Sequence, residues 1–183
     1  MRLFIALHFS LGLRQRLAAA QDKLRLTGAD VKWVEMENLH LTLKFLGEVE
    51  GDKLKRIELA LENSVEGISP FNLKIEGVGV FPGWQRPRVL WAGIRPEPML
   101  TKLQSNIEAR LVKLGYPRAE KFSGHLTLGR VRSNRGLDSL MAAYGNLKQE
   151  KWGEEQIRQV FLVESQLTPK GPYYRDLAVV NLG

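Results

Sequence analysis

The chain has 183 residues, 44% of them apolar, a formal net charge of +7 and no cysteine. That length and apolar content are enough for one domain with a proper core, and the missing thiols exclude disulfides, thiol nucleophiles and Cys-based zinc sites. The positive charge favours anionic partners, nucleic acid first among them, although a charge of this size also fits an inert basic surface.

Residues 2–9 read as a buried strand. Its apolar run, Leu3 to Leu7, is too short for a secretory signal and meets His8 with no small-residue cleavage pattern, and no stretch is long enough to span a membrane. The expectation is a soluble, cytoplasmic protein. Ser10 can cap a helix running to about residue 26, with Leu13, Leu17 and Leu24 at helical spacing. Residues 31–34 form a short strand, and residues 38–46 alternate apolar and polar as a longer strand does, up to Gly47. A helix over about 52–63 comes after it.

Two strands come next, 71–80 and 89–94, separated by the breakers Pro82, Gly83 and Pro87. Residues 97–114 form an amphipathic helix stopped by Gly115 and Pro117. Residues 125–131 alternate again, 137–144 form a short helix, and 157–167 and 173–182 are closing strands joined through Pro169, Gly171 and Pro172. There is no flexible linker, so residues 1–183 read as one unit. Interspersed helices and strands give a mixed α and β architecture.

One tetrapeptide occurs twice. His40-Leu41-Thr42-Leu43 returns as His125-Leu126-Thr127-Leu128, and the chain has only three histidines. Because strand side chains alternate, each copy turns an imidazole and a hydroxyl to one face and two leucines to the other. The repeat suggests two structurally similar halves, each presenting one copy. Imidazole gives and takes protons near neutral pH, so two of them can act as base and acid. A nearby threonine hydroxyl can donate to an oxyanion held between them. Facing each other, the copies suit in-line displacement at phosphorus.

A lone His-x-Thr is more often structural than catalytic; duplication of a rare residue in the same four-letter context favours chemistry. Zinc wants three or four close ligands, which two histidines on separate strands do not supply, so no metal is expected. Neither G-x-x-x-x-G-K-[ST] nor G-x-G-x-x-G occurs, so ATP is not expected either, and no cofactor is assigned. His8 has no partner motif and reads as structural. Lys44 shares the parity of His40 and Thr42 and could approach an anion. Arg86 and Arg88 could follow RNA phosphates, and Phe9, Phe81, Trp84 or Tyr174 could stack a base.

The stretches Trp33-Val34-Glu35, Asn38 to Gly47, Phe122 and His125 to Arg130 together resemble the two-histidine phosphoesterase superfamily. Within it, the chain is most similar to the RNA 2′,3′-cyclic phosphodiesterases, also called 2′-5′ RNA ligases. Arg2 to Ala6, Phe81-Pro82, Arg88 to Gly93 and the segment from Ser165 to Tyr174 extend the likeness over nearly the whole chain.

The resemblance implies an α+β fold of two similar lobes, each an antiparallel sheet with helices on its outer face, and an active cleft between the lobes. It implies metal-independent hydrolysis of 2′,3′-cyclic phosphate RNA ends to 2′-phosphomonoesters, with reverse ATP-independent 2′-5′ ligation. In it His40 is the proton donor, His125 the proton acceptor, and Thr42, Thr127 and Arg130 bind substrate. Arg130 has the parity of Leu126 and Leu128, so it reaches the histidine face only if the strand ends or bulges first. The implied partner is RNA with a cyclic-phosphate end, tRNA fragments included, and the protein is expected to be monomeric. A non-catalytic RNA-end-binding module, and a sibling enzyme acting on 2′-5′ oligonucleotides or a cyclic ADP-ribose phosphate, are the alternatives. One departure stands out: Gly124 occupies the place where the family usually has proline, which would fix φ and stiffen the approach to His125.

Overall fold

In the computed structural model, which describes residues 1–183, the N-terminal apolar run is strand β1 (Arg2–His8), with Leu3 to Leu7 all buried. Ser10 caps helix α1 (Leu11–Arg25), accepting from the Leu13 N–H, and the helix buries Leu13, Leu17, Ala20, Gln21 and Leu24. After β2 (Val31–Trp33), a 3-10 turn over Met36–Asn38 delays the start of β3 to His40 (His40–Glu48), two residues later than the alternation predicts. Next along the chain are α2 (Leu54–Ser64), β4 (Phe71–Phe81) and β5 (Val89–Ile94). Helix α3 (Pro98–Val112) has proline in its first turn and is capped by Glu97, which accepts from the Met99 N–H. The chain ends with β6 (His125–Val131), α4 (Leu137–Gly145), β7 (Lys151–Ile157), β8 (Gln159–Thr168) and β9 (Gly171–Asn181).

All pairings are antiparallel, and the strand order is β7-β4-β5-β6-β3-β1-β8-β9, with β2 on the remaining edge of β6. The two halves of this sheet meet at β3 and β6, and the only paired residues across that junction are Leu41 and Leu126. Beyond the pair, β6 turns to β2 and β3 is left with β1 alone. The sheet therefore divides into two lobes, with a cleft opening at the seam.

Helices α2 and α3 pack on each other and on the lobe that contains β3, while α1 and α4 belong to the lobe that contains β6. Helix α1 comes after β1 in the chain but packs on β7 of the other lobe, so the backbone passes repeatedly between lobes. One continuous apolar core, including Leu17, Leu41, Ile107, Leu126 and Leu162, runs beneath both. Burial of this kind stabilises by about 25 cal/mol per Å² of apolar surface. The fold class read from the sequence is the one observed.

Strand β7 is absent from the sequence-based expectation. Its sequence, Lys-Trp-Gly-Glu-Glu-Gln-Ile, carries only Trp152 and Ile157 as buried apolar residues. It is the sheet's edge on this side, pairing only with β4, and charged residues suit an edge.

Candidate active site

The seam places the duplicated tetrapeptides side by side. With Leu41 opposite Leu126 in an antiparallel pair, the register sets His40 beside Thr127 and Thr42 beside His125. The leucines are buried below, and the four polar residues stay half-buried on the cleft face. A local two-fold axis through the Leu41–Leu126 pair relates the two copies.

Each imidazole is oriented alike. His40 Nδ1 donates to the Asn38 carbonyl at 2.6 Å, and His125 Nδ1 donates to the Ser123 carbonyl at 2.6 Å. In the neutral rings this tautomer leaves both Nε2 atoms as acceptors facing the cleft. His40 Nε2 accepts from the Thr42 hydroxyl at 2.9 Å.

The surroundings differ. His40 lies between Phe4, at 5.0 Å between ring centroids, and the edge of Tyr174, at 5.3 Å. Burial pulls its pKa from 6.5 to about 4, against the upward pull of the Asn38 carbonyl, and His8 and His125 lower it further. His125 is edge-on to Phe81 at 5.0 Å, with Trp91 beyond at 6.4 Å. Trp91 packs over β4 only because residue 79 is glycine: a Cβ there would clash with the indole.

Both strands bulge one residue past the threonine. In β3, Ala6 pairs with Thr42 and Ile5 with Lys44, so Leu43 is extra. In β6, Trp91 pairs with Thr127 and Leu90 with Gly129, so Leu128 is extra. A bulge reverses the parity of the residues that directly follow it. Leu128 and Gly129 are both buried, and Arg130 is exposed on the histidine face. It is close enough to Tyr174 to oppose, with Arg2, the rise in that phenol's pKa that burial causes. The same shift turns Lys44 inward. Its ammonium is 2.8 Å from Glu108, also donates to the Pro117 carbonyl, and is buried. Lys44 therefore does not face the cleft as its parity predicts, and Phe45, 67% exposed, takes that place.

The LigT like Phosphoesterase family model matches residues 10–91. An RNA 2′,3′-cyclic phosphodiesterase of Methanothermobacter thermautotrophicus is 39% identical over 181 residues, covering 99% of this chain and 98% of its own. One of Archaeoglobus fulgidus is 42% identical over 180 residues, covering 98% and 99%. The chain belongs to the LigT-like phosphoesterase family. The crystal structure of a Thermus thermophilus protein superposes with a TM-score of 0.81 at 32% identity over 100% of this chain and 98% of that one. Escherichia coli LigT complexed with 3′-AMP gives 0.78 at 25% identity, covering 99% and 97%.

In this LigT-like phosphoesterase the remaining sequence candidates divide. Phe81 and Tyr174 touch the two histidines, whereas Phe9 is buried in the core and Trp84 packs on Tyr144. Arg86 lies on the loop after Phe81 and Arg88 at its end, and both are exposed. Residue 124 has no backbone need for glycine: a Cβ would make ordinary contacts of 3.5–3.6 Å with Phe122 and Leu100. His125 is held by its upstream carbonyl as His40 is. Sequence reading misses Phe4 and Trp91, which pass for ordinary core residues; His8, read there as structural, pairs with His40 across β1 and β3 and so shares its face.

Proposed function

We propose that this phosphoesterase hydrolyses 2′,3′-cyclic phosphate ends of RNA to 2′-phosphomonoesters without a metal, using His125 as base and His40 as acid. The carrying observation is the two-fold pair of imidazoles with their Nε2 atoms turned into one cleft. A phosphate seated between them meets an acceptor on one side, Nε2 of His125, which takes a proton from water attacking phosphorus. The 3′-oxygen leaves on the opposite side and takes the proton of His40 Nε2. The 2′-ester bond stays, giving a 2′-phosphate.

Thr42, Thr127 and Arg130 hold the phosphate oxygens. A hydroxyl or guanidinium aimed where charge develops in the transition state lowers the barrier most in a partly desolvated site. To act as an acid His40 must be charged, which burial opposes in the free protein. The phosphodiester anion restores the charged form by direct attraction. A 5′-hydroxyl in the place of water makes a 2′-5′ linkage by the same displacement, with no ATP consumed. The names carried by the relatives support RNA as substrate, and so does the chain's basic charge. None of these steps calls for a metal.

The test is a product assay on a defined RNA ending in a 2′,3′-cyclic phosphate, resolving 2′- from 3′-phosphate, with and without EDTA. The expected result is 2′-phosphate at a rate that EDTA leaves unchanged. A 3′-phosphate product, or loss on chelation restored by metal, contradicts the assignment.

A further inference from the structure

Beside the proposed acid lies a polar pair with no part in that mechanism. His8 Nε2 donates to Asp176 Oδ1 at 2.8 Å, with side chains 33% and 41% exposed. The two belong to β1 and β9, which are separated by β8. Such an exposed pair contributes little to stability, so stability does not account for its place.

That place is the cleft face of the β3 lobe. His8 is directly opposite His40, and Val163, the partner of Asp176 in β8, pairs with Phe4, which touches His40. Phe161 is 4.2 Å from the His8 ring, and Phe4 and Tyr174 meet edge-on at 5.1 Å. The result is an aromatic floor with one carboxylate at its rim. Only Oδ1 of that carboxylate is engaged by the protein.

An acceptor at this point selects among donors. An RNA end closed as a 2′,3′-cyclic phosphate has no hydroxyl left on its last ribose, since both oxygens are esterified. The donors within reach are the amino group of the terminal base or the 2′-hydroxyl of the preceding nucleotide. An aromatic floor favours the base, because rings of this kind stack bases.

We propose that Asp176, held by His8, is a specificity-determining residue that accepts a hydrogen bond from the amino-bearing edge of the terminal base. It thereby favours adenine, cytosine and guanine over uracil, whose one ring N–H is flanked by two carbonyls. His8 is a positioning residue: its ring N–H fixes the carboxylate. This assignment rests on the phosphodiesterase reading above.

The experiment compares kcat/KM for the four 2′,3′-cyclic mononucleotides. The wild type is expected to favour the three amino-bearing substrates about tenfold over the uridine one. Asp176→Asn is expected to turn the preference toward uridine, since its amide oxygen keeps the His8 hydrogen bond and its NH₂ now faces the base as a donor. His8→Ala should flatten the preference, and His8→Gln, which still donates to Asp176, should keep it. Equal turnover of all four by the wild type, or an equal loss on all four in Asp176→Asn, overturns the proposal. So does a loss confined to dinucleotide ends, which assigns Asp176 to the preceding 2′-hydroxyl. Calorimetric binding of the four nucleoside 2′-monophosphates reads the same preference without turnover, so failure of the catalytic reading and failure of this one remain distinguishable.

Discussion

The two lobes carry the same tetrapeptide, the same upstream carbonyl on Nδ1 and the same bulge after the threonine, yet they surround their histidines differently. In the β3 lobe His40 is walled by Phe4 and Tyr174, and burial holds its pKa at about 4. In the β6 lobe His125 meets Phe81 and Trp91, and the bulge delivers Arg130 where β3 delivers Phe45. Beneath the β3 bulge lies the buried Lys44–Glu108 pair, its carboxylate supplied by α3; beneath the β6 bulge, Gln21 of α1 donates to the carbonyls of Leu128 and Val34 at 2.8 and 2.9 Å. The motif supplies two equivalent imidazoles, the proton carriers of the proposed reaction. The neighbours, one side apolar and the other cationic, make them unequal, and only unequal groups can divide acid from base.

The largest expected effect comes from removing either carrier. His40→Ala and His125→Ala should each lower kcat by at least about 10³-fold while circular dichroism shows the fold unchanged. If only one of the two substitutions matters, the lobes do not share the proton transfers and the comparison breaks. Next comes Lys44→Met, which strands Glu108 in the interior. It should cost about 3 kcal/mol of unfolding free energy in a denaturant titration. A raised KM at unchanged stability would instead put Lys44 in the cleft.

Smaller still, Arg130→Met should reduce kcat/KM about tenfold to a hundredfold by removing one charge-assisted contact to phosphate. The equivalent change on the other lobe, Phe45→Met, removes no charge and should have a much weaker effect. Matching losses at residues 45 and 130 would show that the two faces work alike.

Much of this is legible in the sequence. Ser10 before a run of leucines at helical spacing marks α1, and the alternation around His40 and His125 places imidazole and hydroxyl on one face. The bulges are not legible, because Leu43 and Leu128 are apolar like their neighbours and nothing in the letters marks the extra residue. That is why parity points Lys44 into the cleft and leaves Arg130 conditional. Strand β7 is hidden by its charges, which an edge tolerates. His8 reads as structural because its partner Asp176 is 168 positions away, and only the order β1-β8-β9 brings them together.

The central claim is that two unequal imidazoles grip one phosphate. NMR titration of the ring signals, in the free protein and with a nucleoside 2′-monophosphate bound, tests it most directly. His40 should titrate at about 4 in the free protein, and phosphate binding should raise that value and perturb the His125 ring in the same titration. A His40 that titrates at its ordinary 6.5 in the free protein, or a ligand that shifts one ring and leaves the other untouched, would contradict the account.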